Sequence, residues 1–260
     1  MNTAVLCAIG PDKPVEVVRS VMSAIIEDFP DEAIFIFDRP SRELKQVSEE
    51  VCDSAPDDCA VALDLEGPPG QHWRSPAVVF NEGLKLVTAD VTIVCHGDVE
   101  VAPGAVDTVL TLMAEKEAVY FAEVKESKPE ECMGVGSAGP VLVSSQNARA
   151  LTYLFAVPTK ALKAIGGWDE AFSAGVCYED DDLTARLWGE GLDFIFDDRL
   201  QGLHHSHSRA YFTAIRMAPN MALMLQKHGT REWVNRQRAL GQLLIDSGEK
   251  RTVFSHGKHL

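Results

Sequence analysis

Four apolar runs of strand length alternate with helical segments over the first hundred residues, and this alternation restricts the chain to a narrow set of folds. "TAVLCAIG" (3–10) leads into "PVEVVRSVMSAIIEDF" (14–29), where Val17, Val18, Val21, Ile25 and Ile26 recur on one helical face. "AIFIFD" (33–38) precedes the polar helix "SRELKQVSEEVCDSA" (41–55). "CAVALDLEG" (59–67) precedes a Gly/Pro-rich loop (67–76), the helix "AVVFNEGLKLVTAD" (77–90) and the strand "VTIVCHGDVEV" (91–101). A β-α-β-α-β order calls for a parallel sheet with helices on its faces. Ligands of such sheets gather beyond the carboxyl ends of the strands, so Gly10-Pro11, Asp38 and His96-Gly97-Asp98 are expected on one rim.

After a helix beginning at Pro103 the pattern loosens into "AVYFAEV", a polar loop from Lys125 to Gly139, the strand "PVLVSS", "TYLFAVPTKALKAIGGW", and a last strand-like piece, "LDFIFDDRLQGLHHSH". Two amphipathic helical stretches, 209–228 and 230–247, follow, and the polar tail is expected to fray. With 46% hydrophobic residues the chain can bury one large core. The expected division is a catalytic-sized domain over 1–210 and a helical extension over 211–260 packed on it.

Charge excludes one class of partner. Lys and Arg number 24 against 39 Asp and Glu, and a net charge of -15 without a basic patch repels a phosphate backbone, so no nucleic acid is expected. The amino terminus lacks a basic region followed by a long apolar run, and no segment reaches about 18 consecutive apolar residues, so a soluble, cytoplasmic protein without a transmembrane segment is expected. Six cysteines without CxxC spacing are expected to stay reduced, a Cys52–Cys59 bridge being the one pairing that proximity in sequence offers.

Three constellations carry chemistry. The first, "CHGDVEVAPG", puts Asp98 at a strand end beside a glycine that lets a ligand approach, a placement suited to a hard divalent cation and equally to a plain capped turn. The second, "GLHHSHSR", offers His204 and His207 three apart and His205 and His207 two apart, and either pair can reach one cation; structural histidines are the other reading. The third, "GVCYEDDDLTARLWGEGL", sets Glu179, Asp180, Asp181 and Asp182 in one turn. A helix amino terminus stabilises one or two carboxylates, fewer than the four present. Helical spacing puts Leu183 and Leu187 toward the core and lets Glu179, Asp182 and Arg186 share a face, leaving Asp180 and Asp181 for a substrate side where a carboxylate can act as general base. The alternative is a solvated acidic cap. Trp168 and Tyr178 fit a sugar-stacking role and a core role equally.

Together these pieces resemble the nucleotide-sugar glycosyltransferases of the GT-A fold, in particular the broad inverting group and its galactosyltransferase branch. The resemblance covers residues 3 to 210 and is strongest in "NEGLKLVTADVTIVCHGDVEVAPG" and "FAVPTKALKAIGGWDEAFSAGVCYEDDDLTARLWGEGL", with "HSR" at 207–209 similar to a metal-binding His segment. It implies an α/β, Rossmann-like, mostly parallel sheet flanked by helices, with C-terminal helices. It further implies Mn²⁺ or Mg²⁺ on Asp98, His207 and His204, with His205 a rival for the last place. A nucleotide-sugar donor, a UDP-sugar by preference, is implied at Gly10, Pro11, Asp38, Arg74, Asn81, His96 and Gly97. Asp180 matches the catalytic base, and Glu179, Asp181 and Trp168 the acceptor side. The acceptor class stays open among a glycan, a lipid-linked sugar and a small molecule. His96 stands where the family has its first D-x-D aspartate, and Pro76 stands where a basic residue is usual, which leaves Arg74 as the nearest candidate for that contact. Transfer with inversion follows from one displacement with one base. A retaining transferase, a nucleotidyltransferase and a non-catalytic sugar-nucleotide or glycan-binding domain are the competing readings.

Overall fold

The structure, a computed structural model, describes residues 1–28, 30–56, 59–67, 76–129, 140–207, 213–229 and 251–255. Among the described residues ten strands form one sheet: β1 (Thr3–Ile9), β2 (Glu32–Asp38), β3 (Ala60–Leu65), β4 (Val91–His96), β5 (Val99–Val101), β6 (Val119–Glu126), β7 (Val141–Val143), β8 (Leu154–Pro158), β9 (Phe194–His204) and β10 (Arg251–Phe254). The order along the sheet is β10-β9-β6-β8-β4-β1-β2-β3, with β5 beside β9 and β7 beside β6. β1, β2, β3, β4, β6 and β9 run in one direction. β8 runs against its neighbours β4 and β6, and so begins at the rim where those two end.

The helices are α1 (Val15–Glu27), α2 (Arg42–Asp53), α3 (Ala77–Leu84), α4 (Ala105–Glu115), α5 (Thr159–Ala164), α6 (Glu179–Gly189) and α7 (Ala214–His228), with a 3₁₀ turn at Glu170–Ala174. Sequence explains their seating. α1 buries Val18, Val21, Met22, Ile25 and Ile26, the stripe that its period dictates. Ser41 starts α2 by accepting a hydrogen bond from the Leu44 amide at 3.2 Å. Every residue of β1 is buried, as expected for a strand covered on both faces. Phe121 stacks between Phe155 and Phe196, tying β6 to both neighbours.

Three departures from the sequence reading bear on function. The single strand expected over 91–101 breaks at Gly97-Asp98, because β5 leaves β4 to pair with β9. The Gly97 amide donates to the Ala8 carbonyl at 2.8 Å, and a Cβ at Gly97 would meet that oxygen at 2.8 Å, so only glycine lets the chain cross the end of β1 there. β6 also runs two residues into the expected polar loop and places Glu126 opposite His204. The tail expected to fray supplies β10, because Phe254 is buried edge-on against Phe196. The second C-terminal helical stretch lies outside the described residues. Cys52 and Cys59 are separate thiols. No helix among the described residues is long and apolar enough to cross a membrane.

Candidate active site

The rim where β1, β4, β6 and β9 end, and where β8 begins, collects an unusual density of titratable groups. Asp98, on the β4–β5 turn, is buried. Its Oδ2 lies 3.1 Å from His207 Nε2 and 3.6 Å from His204 Nε2. One ligand atom from each of Asp98, His204 and His207 falls within 4.8 Å of the others. His204 Nδ1 pairs with Glu126 Oε2 at 2.8 Å, which leaves Nε2 to face Asp98. Imidazoles that ligate metals are typically fixed in this way through their second nitrogen. His205 turns the other way, its Nε2 3.1 Å from Glu100 Oε2. One carboxylate and two imidazoles on one side of a rim are a donor set that fits a divalent cation.

Electrostatics describe the same cluster. Burial works to raise the Asp98 carboxyl, yet Lys13, His204 and His207 hold it well below the usual carboxylate range. Burial works to lower His204, yet Asp98 and Glu126 hold it up at about 9. Lys13, from the β1–α1 loop, forms an ion pair with Asp98 Oδ2. This lysine and Glu126 were not among the residues singled out from sequence.

A second acidic centre opens on the same rim. Asp180 Oδ1 accepts a hydrogen bond from Thr152 Oγ1, just ahead of β8. The next residue, Tyr153, packs its ring against both His96 and His204, at centroid distances of 6.0 and 5.3 Å. Burial lowers the His96 imidazole against the opposing pull of Asp180 and Asp98, so both carboxylates act on this one ring. Glu179 is buried with Oε2 lacking a partner, and burial together with the neighbouring Asp180 charge raises its carboxyl to about 8. The acidic row is therefore not a uniformly solvated cap: Glu179 and Asp182 are buried while Asp180 and Asp181 are half-buried.

The turn ahead of α6 is strained and braced. Cys177 and Tyr178 have φ of 65° and 70°, left-handed values that cost non-glycine residues on the order of 1–3 kcal/mol each. Asn220 of α7 holds the turn, its Nδ2 donating to the Cys177 and Phe172 carbonyls at 2.8 Å each. Asp182 joins α6 to α7, with Arg186 Nε at 2.7 Å, Lys227 Nζ at 2.5 Å and His228 Nε2 at 2.8 Å. Glu179 does not join Asp182 and Arg186 on the face that helical spacing offered all three; only the Asp182–Arg186 pair forms there.

Neither a protein-family model nor a curated protein sequence matches the chain. Solved structures do. The mannosyltransferase PcManGT from Pyrobaculum calidifontis, in complex with GDP-Man and Mn²⁺, superposes over 94% of this chain and 69% of its own with a TM-score of 0.64 at 12% identity. TarS 1-349 of S. aureus, in complex with UDP-GlcNAc, superposes over 94% and 72% with a TM-score of 0.66 at 12% identity. GalNAc-T7 with UDP, GalNAc and Mn²⁺ superposes over 91% and 50% with a TM-score of 0.64 at 11% identity. The chain has the GT-A fold. It spans only part of the length of each of these proteins.

Within this GT-A fold the residues singled out from sequence divide into groups. Asp98, His204 and His207 come together, and Asp180 is held by Thr152, next to the Tyr153 ring that packs on His96 and His204. Gly10 and Pro11 stand at the end of β1, where the Gly10 carbonyl faces the Lys13 amide at 3.5 Å. Asp38 ends β2 with its carboxylate in the fork of Arg39, at 2.8 and 3.2 Å. Arg74 lies outside the described residues, as do Ser208 and Arg209.

Two residues that the resemblance assigns to ligands make packing contacts here. Asn81 clamps the Gly166-Gly167-Trp168 turn onto α3: its Nδ2 donates to the Trp168 carbonyl at 2.8 Å and to Glu170 Oε1 at 2.9 Å, and its Oδ1 accepts from the Trp168 amide at 2.9 Å. The amide has no donor left for a nucleotide. Gly167, at φ 70°, has Asn81 Oδ1 2.4 Å from where a Cβ would stand, so the clamp needs this glycine. Trp168 is 2% exposed and stacks on Phe80 at 4.5 Å, which makes it core and not an open platform for an acceptor sugar.

Proposed function

We propose that the chain transfers a sugar from a nucleotide-sugar, a UDP-sugar by preference, to an acceptor hydroxyl, with Mn²⁺ or Mg²⁺ held by Asp98, His204 and His207. The observation that carries this reading is the convergence of those three donors, with Asp180 held by Thr152, the residue before the Tyr153 whose ring packs on His204. The similar structures add support, since their complexes contain GDP-Man with Mn²⁺, UDP-GlcNAc, and UDP with GalNAc and Mn²⁺.

A bound divalent ion supplies charge compensation to the departing nucleoside diphosphate. The protein's own residues do the rest. Asp180 takes the proton of the acceptor hydroxyl while that oxygen forms its bond to the anomeric carbon. The bond from that carbon to the diphosphate oxygen breaks on the opposite face, the electron pair leaves with the diphosphate, and configuration inverts. The Thr152 hydroxyl fixes one oxygen of Asp180 and so aims the other. Glu179, kept protonated near neutral pH by burial and by the Asp180 charge, adds no second negative charge beside the base.

A thermal-shift screen of nucleotide-sugars with and without Mn²⁺ tests this. A donor bound at about 100 times its Kd stabilises the fold by about 2.7 kcal/mol. The expected result is a rise in Tm with a UDP-sugar and Mn²⁺ together that exceeds either alone. The absence of a shift with every nucleotide-sugar would contradict the reading. His96 in place of an acidic residue favours one second reading, a sugar-nucleotide-binding domain without turnover. A Tm shift without transfer across a panel of acceptors would select it, and a product of retained anomeric configuration by NMR would exclude single displacement.

A further inference from the structure

The carboxylate expected to carry a divalent ion already carries a cation. The Lys13 ammonium is paired with Asp98 Oδ2, the same oxygen that faces His207 and His204. The contact is shielded, with side-chain exposures of 17% for Lys13 and 7% for Asp98. Lys13 sits two residues before α1 on the loop that leaves β1, so its ammonium can leave Asp98 without disturbing a helix or a strand. Asp12, one residue away on the same loop, also acts on it, so an alternative acidic neighbour is at hand.

We infer that Lys13 is a counter-cation that competes with the divalent ion for Asp98 and so makes the ion and the diphosphate load together. The inference rests on the reading of Asp98, His204 and His207 as a metal site. Its basis is charge balance at the Asp98 oxygen. Asp98 and Lys13 neutralise one another, and the carboxylate of Glu126 is taken by His204. A dication arriving alone must break a shielded charge-assisted hydrogen bond and then sit beside the ammonium it displaced. A diphosphate brings the negative charge that both cations need. Thermodynamic linkage then requires each ligand to tighten the other by the same factor. Lys13 is here a positioning residue, acting through Asp98 and not on the reacting atoms.

Titration of Mn²⁺ into the full chain, with the free ion followed by electron paramagnetic resonance, tests this with and without UDP. Without UDP, Lys13→Met and Lys13→Gln are expected to bind Mn²⁺ roughly 10- to 100-fold more tightly than the unmodified chain, the weight of one charge-assisted hydrogen bond. Lys13→Arg keeps the cation and is expected to match the unmodified chain. With UDP present the advantage of the neutral variants is expected to shrink, because the coupling that Lys13 creates is gone. Neutral variants that bind Mn²⁺ no more tightly, while Asp98→Asn loses binding, would overturn the inference and leave the metal site standing. An advantage that persists undiminished with UDP would overturn the coupled loading. Equal Mn²⁺ binding by the unmodified chain and Asp98→Asn would instead remove the metal-site reading itself.

Discussion

Asp180→Asn is expected to lower kcat for sugar transfer by about 10²–10⁴-fold, the usual weight of a general base, with a much smaller effect on the KM of the donor. The substitution preserves shape, and an Asn oxygen can still accept the Thr152 hydroxyl bond that Asp180 Oδ1 accepts now. Donor binding and the melting temperature should therefore stay close to those of the unmodified chain, which separates loss of a base from loss of a fold. Steady-state kinetics with a good acceptor, alongside Mn²⁺ and UDP calorimetry, make the check. Full transfer activity in Asp180→Asn would assign the proton to another group. The neighbouring Glu179, buried and held at about 8, is the first alternative. It is a poor base near neutral pH because most of it already holds a proton.

The second large effect is on stability. Asp182→Asn should destabilise the protein by about 3 kcal/mol, the low end of the range for breaking a buried ion pair from one side, since water reaches parts of Arg186 and Lys227. Asp182 is the junction that joins Arg186 of the same helix to Lys227 and His228 of α7. Arg186 continues the network to the Ile165 and Gly167 carbonyls at 2.9 and 2.7 Å, and Lys227 to Asp169 at 2.5 Å. Burial works to raise the Asp182 carboxyl, but Lys227, His228 and Arg186 hold it below its ordinary 3.8. A carboxylate depressed in the folded state adds stability that is present above the unfolded value and is lost as pH falls through the lower folded value. The gap between the unmodified chain and Asp182→Asn should therefore be full at neutral pH and close progressively below about pH 4. Urea unfolding at several pH values, with m unchanged, measures it. A gap of less than 1 kcal/mol at pH 7 would mean that the network is no stronger than an exposed pair.

What was legible in the sequence follows from the range over which each signal acts. Strands β1, β2 and β4 and the stripe of α1 are written in local periodicity, and the rim then follows from the rule that ligands sit at strand carboxyl ends. The β4–β5 break was hidden because apolar alternation runs on through Val99 and Val101 after the turn. His204 and His205 could not be separated by spacing. Successive residues at a strand end face opposite ways, and only the pairing of His204 with Glu126 and of His205 with Glu100 decides which one meets Asp98. Glu126 and Lys13 had no local signal, being 78 and 85 residues from their partners. Glu126 also sat within an apparent polar loop. For Trp168 the stacking and core readings are equal in sequence, and the left-handed turn at Gly166 and Gly167, which folds the ring back onto Phe80, favours core. Asn220 left one faint mark, a polar residue four before Met224 on the buried stripe of α7.

Anomalous diffraction from crystals soaked with Mn²⁺ and UDP is the most direct measurement of whether the metal and the base share one pocket mouth. The expected map has one manganese peak within ligand distance of Asp98, His204 Nε2 and His207 Nε2, the diphosphate against it, and the Asp180 carboxylate facing the same opening. A manganese peak elsewhere, or a diphosphate on a different face from Asp180, would contradict the mechanism at its root.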